Sequence, residues 1–249
     1  DELDPYIVVY RRLEEYLSAR HELERLDLIR RCLYLKVGKK LSLPPRGRNK
    51  SWQRLLLERL TNSWGWSTRE LALLDSRSQW KVRQTSVERR ALVNELTYSY
   101  RFLSEFARGV QAASPLNSRD LGVLGRRLYA AFERKAGKIE HINPGIAPDM
   151  AEDSLTLVYC PASDSHNESQ WALYSGSLTG QEWPDFAPLK RSRQLSELLA
   201  WCHRNTIIDQ ATGLSLHAGA SDLTDFELNK LLESLRQSLP LPLPAVSES

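Results

Sequence analysis

Apolar residues recur at three- and four-residue steps through roughly the first 135 positions, then give way to short β-branched and aromatic runs. Asp4 followed by Pro5 makes a cap and first-turn pair for an opening helix through about Arg20. The next run, RLDLIRRCLYLKVGKKL from Arg25 to Leu41, places Leu26, Ile29, Leu33 and Val37 on one stripe. Arg30, Arg31, Lys36, Lys39 and Lys40 fall around the rest, so a single helix is expected that docks on a core and still faces anions. Leu43-Pro44-Pro45-Arg46-Gly47 cannot continue a helix, because proline lacks the N–H and clashes with the preceding turn. A third helix runs from Ser51 to about Leu60 and leads to Trp64-Gly65-Trp66, after which Ser67 and Glu70 form a capping box for a fourth. Gln79 to about Arg108 carries Trp80, Val87, Leu92, Leu96, Phe102, Leu103 and Phe106, long enough to be the central helix, and Ser114-Pro115 breaks it. Asp120 to about Arg134 is a further helix, with Gly137 free to take positive φ just past its end.

The character changes at Lys138. Leu155–Cys160 and Trp171–Gly176, joined by the polar ASDSHNESQ, predict a hairpin, and Lys138–Asn143 a third strand. Gln194–Asn205 is an amphipathic helix, Leu214–Ala218 a short strand, and Thr224–Leu239 a last helix opened by a Thr224/Glu227 capping box. The expected class is α+β: a helical domain over 1–137, then a small α+β domain over 138–239 with a short antiparallel sheet and its helices on one face. Residues 240–249, with Pro240, Pro242 and Pro244, form an extended linker.

Composition narrows the function classes. Hydrophobic content of 41% and seven Trp argue for real cores. Lys and Arg number 34 against 31 Asp and Glu, a net charge of +3, so local clusters matter more than the overall field and nucleic-acid binding is not expected. Cys32, Cys160 and Cys202 are odd in number and scattered, which suits free thiols in a reducing cytoplasm. No apolar run reaches the roughly 20 residues of a membrane span. The chain opens at Asp1 and closes on a proline-rich stretch, so an internal piece of a longer polypeptide is expected.

Several chemistries fail on spacing. Gly38-Lys39-Lys40 lacks both the upstream glycine and the following Ser or Thr of a phosphate loop. Cys202 and His203 are adjacent and leave a helix in different directions, and His141, His166 and His217 are isolated, so no metal site is encoded. No G-x-S-x-G elbow activates a serine. Asn167-Glu168-Ser169 matches a glycosylation sequon that a cytoplasmic protein would not use. The tryptophans read as helical core rather than a stacking platform.

The basic run, with LDPY at Leu3–Tyr6, SWGW at Ser63–Trp66 and LALLDSRSQWKV at Leu71–Val82, resembles the bacterial class I adenylate cyclases. The resemblance continues in order through DLGVLGRRLYAAFERKAGK at Asp120–Lys138 and INPGIAPDM from Ile142. Members of that family are longer, and their Gly-Ser and Asp-x-Asp nucleotidyltransferase signature lies upstream of anything present here. The resemblance therefore implies an internal segment of an enzyme that converts ATP to cyclic AMP and pyrophosphate with Mg²⁺. The catalytic palm and metal ligands would lie upstream, a regulatory region downstream, and the segment alone would be non-catalytic. By analogy with helical domains that flank such palms, Arg30, Arg31, Lys36 and Lys39 are triphosphate candidates and Tyr34 a base contact. Arg126 and Arg127, with Lys135 and Lys138, form a second basic group that the helix dipole also explains. Asp27 or Asp75 are the carboxylates available to complete an upstream metal site. The alternative is a regulatory module that docks a signalling protein and never touches substrate.

Overall fold

The computed structural model describes residues 4–45, 50–109, 118–132, 135, 137–143, 145–162, 168–180 and 185–241. Arg46, Gly47, Ser114-Pro115, Arg134, His166, Asn167, Pro242 and Pro244 lie outside them. The chain divides into two compact units, Asp1–Gln79 with Arg90–Arg127, and Trp80–Arg89 with Leu128–Ser249.

The first unit is helical. α1 (Pro5–Ala19) starts on Asp4, whose carboxylate accepts the Tyr6 and Ile7 N–H groups. His21, at φ +57°, turns the chain into α2 (Leu23–Val37). Ile7 and Tyr10 of α1 pack with Leu33 of α2 and Leu56 of α3 (Trp52–Trp64), flanked by Ile29, Val37, Leu60 and Trp64. The expected stripe of α2 is thus its core face, widened by buried Leu28 and Tyr34. The helix is shorter than expected, however: Gly38 takes φ +66° as its left-handed cap, so Lys39 and Lys40 lie beyond it. Gly65 closes α3 the same way at φ +72°, and the Ser67/Glu70 capping box opens α4 (Thr68–Asp75) as the sequence predicts. Tyr10, Trp64, Trp66 and Tyr34 form a chain of ring contacts with centroids 4.8–5.8 Å apart.

A 3₁₀ turn (Arg77–Gln79) precedes α5 (Val82–Gly109), so buried Trp80 sits before the long helix rather than within it. The expectation of a central helix needs correction, because Leu96, Phe102 and Phe106 are close to half exposed. Hydrophobic periodicity reports that a face exists, not what covers it. Against α6 (Ser118–Phe132), a side chain at Gly125 would collide with the Tyr100 ring, so a glycine is what permits this approach.

The second unit contains a four-stranded sheet in the order β3-β2-β1-β4, where β1 is Ser154–Cys160, β2 Gln170–Ser175, β3 Lys190–Ser192 and β4 Gly213–His217. The predicted hairpin is β1 with β2, antiparallel, with Leu157 opposite Leu173. β4 pairs parallel to β1, so the sheet is mixed rather than antiparallel. α7 (Leu195–Arg204) makes the crossover from β3 to β4 and packs on β2 and β3, and α8 (Asp225–Ser238), opened by the Thr224/Glu227 box, packs on α7.

Burial also differs from the one-sided expectation. Four consecutive residues are buried in each hairpin strand, Leu155–Val158 and Trp171–Tyr174. On one face Val158, Ala172 and Tyr174 pack with Cys160 and Leu178. The loop after β2 is folded onto that face: the Thr156 hydroxyl donates to the Gly176 carbonyl and accepts the Leu178 N–H. Lys138–Asn143 is not a strand. Its backbone is instead tied by one side chain, Asn205, whose Oδ1 accepts the Ile142 N–H and whose Nδ2 donates to the Glu140 carbonyl.

Candidate functional site

The cations of the second helix divide into two sets. Those in its first three turns face carboxylates. Arg25 donates to both oxygens of Glu95 at 2.6 Å, pairs with Glu22, and lies 4.0 Å from the Tyr98 ring centroid. The Arg25 guanidinium holds Glu95 below the usual carboxylate range. Arg30 donates to Glu14 at 3.0 Å and lies over Trp64, and Arg31 pairs with Asp27 one turn earlier. Triphosphate candidates Arg30 and Arg31 are therefore already neutralised within the helical unit.

Tyr34 is only 2% exposed and sits beside Trp66, which leaves no face to offer a nucleotide base. Its hydroxyl donates to Asp75 Oδ1 at 2.7 Å and accepts the Leu41 N–H. Burial and the adjacent Asp75 carboxylate push its hydroxyl pKa upward, so it stays protonated as a donor. Asp75, 8% exposed, also accepts the Ser42 N–H at 2.8 Å and hydroxyl at 2.7 Å. With Asp75 so engaged and Asp27 paired to Arg31, neither carboxylate is held out toward a metal.

These bonds build something the helical pattern did not show. The segment from Gly38 to Leu43 leaves α2 and is pinned along its length: Tyr34 holds Leu41, Asp75 holds Ser42, and Arg54 donates to the Lys40 carbonyl and the Leu43 carbonyl at 2.8 Å each. Arg54 is itself aimed by Glu58, one turn on, which also takes Lys50 at 2.8 Å. The Lys50 ammonium is the main reason the Glu58 carboxyl lies low. Lys39 and Lys40 are exposed on this pinned segment, with Lys36 one turn before, its ammonium 4.8 Å from the Tyr6 ring centroid. Among the described residues no carboxylate lies within ion-pair distance of these three lysines. Sequence reasoning missed Arg54 and Ser42. The one legible signal was the Arg54/Glu58 spacing, which places the pair on one helix face.

Arg126 and Arg127 are exposed on α6, with the Arg126 guanidinium returning over Gly122. Among the described residues no group of three or more His, Cys, Asp or Glu could hold a metal ion, so these side chains do not fit a metal cage. Cys202 is buried within α7 while His203 turns to the Leu239 carbonyl, the divergence expected of helical neighbours. No helix among the described residues is long and apolar enough to cross a membrane.

None of the three cysteines is in a disulfide, and they differ sharply in access. Cys32 is exposed, whereas burial pushes the Cys202 thiol up to about 12. A thiol reagent at pH 8 is expected to label Cys32 rapidly and Cys202 only at the rate of unfolding, measured by peptide mass mapping over time. Fast native labelling of Cys202 would show that α7 opens locally.

Comparison with known proteins adds an independent line. Residues 1–143 match the model of the class-I adenylate cyclase second domain, and residues 150–243 that of the third domain. Adenylate cyclase of Proteus mirabilis is 37% identical over 250 residues, and that of Escherichia coli K12 is 38% identical over 247. Adenylate cyclase of Salmonella typhimurium is 37% identical over 247 residues. Each alignment covers 98% of this chain and 28% of the relative, so the chain spans little more than a quarter of their length. No solved structure matches the chain.

Proposed function

Because the chain belongs to the class-I adenylate cyclase family, we propose that it works within a longer enzyme that converts ATP to cyclic AMP and pyrophosphate. In that reading the helical unit positions the triphosphate. The observation that carries it is the pinned lysine segment: Lys39 and Lys40 project from a backbone held by Tyr34, Asp75 and Arg54, with Lys36 beside them. A cation on a fixed backbone loses less freedom on meeting a phosphate than one on a free loop. Long ammonium side chains without a nearby carboxylate also retain their full charge for an incoming anion. The exposed Arg126 and Arg127 enter the proposal as further triphosphate contacts. Arg30 and Arg31 enter as the charges that set the angle of α2, and Tyr34 as a strut. Mg²⁺ is the proposed cofactor of the whole enzyme, with ligands outside this chain, so the chain alone is proposed to be catalytically silent.

Neutralising two of the three exposed lysines, Lys36→Gln with Lys39→Gln, is expected to raise the KM for ATP of the full-length enzyme about tenfold or more, as the loss of charge-assisted contacts to phosphate requires. Thermal stability should be unchanged, since neither ammonium is buried. Steady-state kinetics decide the matter, and an unchanged KM sinks the substrate reading.

One observation favours the rival, a docking module that leaves substrate alone. The half-exposed stripe of Leu96, Phe102 and Phe106 on α5 is the kind of surface another polypeptide covers. On that reading the lysine double variant keeps normal basal turnover and changes only the response to a regulator.

A further inference from the structure

The two edges of the sheet differ in how they are guarded. β3 is three residues long and carries Lys190 and Arg191, the kind of short cationic strand that turns other chains away. β4, Gly213-Leu214-Ser215-Leu216-His217, has no Lys, Arg, Asp, Glu or Pro, and it pairs with β1 residue for residue, without a bulge.

The outer side of β4 can be assigned group by group. The Gly213 N–H donates to the Asp153 carbonyl at 2.9 Å, so Gly213, Ser215 and His217 direct their backbone groups at β1. Leu214 and Leu216 direct theirs outward. Among the described residues nothing hydrogen-bonds to those two N–H and two C=O groups. Both leucines are also only partly buried.

We propose that β4 pairs antiparallel with β4 of a second copy of this chain about a two-fold axis, joining the two sheets into one. This pairing is independent of the triphosphate reading. A second copy fits because the strand carries no fixed charge, so the axis sets no like charges opposite one another. Neighbouring bonds fix the register. With Leu214 opposite Leu216 of the second copy, all four outward groups of each strand exchange hydrogen bonds, and the half-covered leucines meet. A shift one way calls on the Thr212 N–H, which Asp209 Oδ1 already takes at 2.9 Å. A shift the other way calls on the Ala218 carbonyl, which already accepts the Ser221 N–H. Ser215 then falls on the axis as a non-hydrogen-bonded pair with Cα atoms about 4.5 Å apart. The two His217 residues lie about 14 Å apart, each opposite a Gly213. Strands this short bury less than a stable dimer needs, so the association is weak and depends on concentration.

The test is sedimentation of the 249-residue chain from about 1 µM to about 1 mM, with disulfide trapping to read the register. Dimer is expected to accumulate toward the upper concentrations. Ser215→Lys, which sets two ammonium groups opposite one another, should weaken it about tenfold or more and leave the circular dichroism unchanged. In a Cys32→Ser background, which removes the exposed native thiol, Ser215→Cys should form covalent dimer under mild oxidation about tenfold faster than His217→Cys. Only the first brings its thiols within disulfide reach. A chain that stays monomeric at about 1 mM overturns the proposal and leaves the edge to an extended segment of another polypeptide. A dimer indifferent to Ser215→Lys, or equal trapping at the two positions, puts the contact on another face and overturns it as well.

Discussion

Asp75→Ala is expected to destabilise the helical unit by about 3 kcal/mol, because it leaves a buried tyrosine hydroxyl and two serine donors without their acceptor. The Tyr34 hydroxyl is the largest part of that loss, since it lies in a core from which water is excluded. Tyr34→Phe removes one donor and the acceptor of the Leu41 N–H, and should cost about 1 to 2 kcal/mol. The two losses overlap, so the double variant should fall short of their sum, as neighbours in one network do. Urea unfolding followed by tryptophan fluorescence measures all three. A change below about 1 kcal/mol for Asp75→Ala would mean that water replaces the carboxylate and the network is not structural. The same variant separates rigidity from charge at the proposed phosphate contact. If the pinned segment serves ATP, Asp75→Ala raises the KM of the full-length enzyme with Lys36, Lys39 and Lys40 still in place.

Asn205→Ala should destabilise the α+β unit comparably, by about 3 kcal/mol, because one amide side chain serves three backbone groups. Asn205 is 2% exposed, and besides Ile142 and Glu140 its Nδ2 reaches the Trp201 carbonyl at 2.9 Å. It thus joins the end of α7 to the Lys138–Asn143 segment, a task a strand pairing would otherwise perform. Asn205→Asp tells the donors from the acceptor. A carboxylate still accepts from Ile142 but faces two carbonyls with nothing to give, so this near-isosteric change should also destabilise by at least about 2 kcal/mol. Equilibrium unfolding by circular dichroism is the measurement. A variant as stable as the parent would show that the segment is held by its apolar contacts alone, through Ile142, Ala147 and Met150.

Both substitutions touch residues that local pattern did not mark as structural, and the reason is the range over which each acts. Asp4 with Pro5, Ser67 with Glu70 and Thr224 with Glu227 were legible because donor and acceptor lie within three residues. The hairpin of β1 and β2 was legible for the same reason, as two β-rich runs about a polar loop. Lys190–Ser192 forms a strand without an apolar run of its own, because a three-residue edge strand is specified by the neighbour it pairs with. Lys138–Asn143 had the composition of a strand but met the Asn205 amide before any strand edge. At Gly38 the apolar period runs on to Leu41, while the backbone turns left-handed and ends the helix. The local signal there was the glycine, and periodicity obscured it.

For the candidate site the same division holds between what a residue is and whom it meets. That α2 would be apolar on one side and cationic on the other follows from the spacing of its residues, as does the family to which its motifs belong. Which of those cations are spent on Glu14, Asp27 and Glu95, and which remain exposed at Lys36 and Lys39, rests on partners up to 70 residues away. The sequence alone therefore determined the helices, their caps, the α+β class and the family, all carried by short spacings and ordered motifs. Only the tertiary structure decided which charges cancel, because the energy of an ion pair depends on distance and burial, and neither is a property of sequence order.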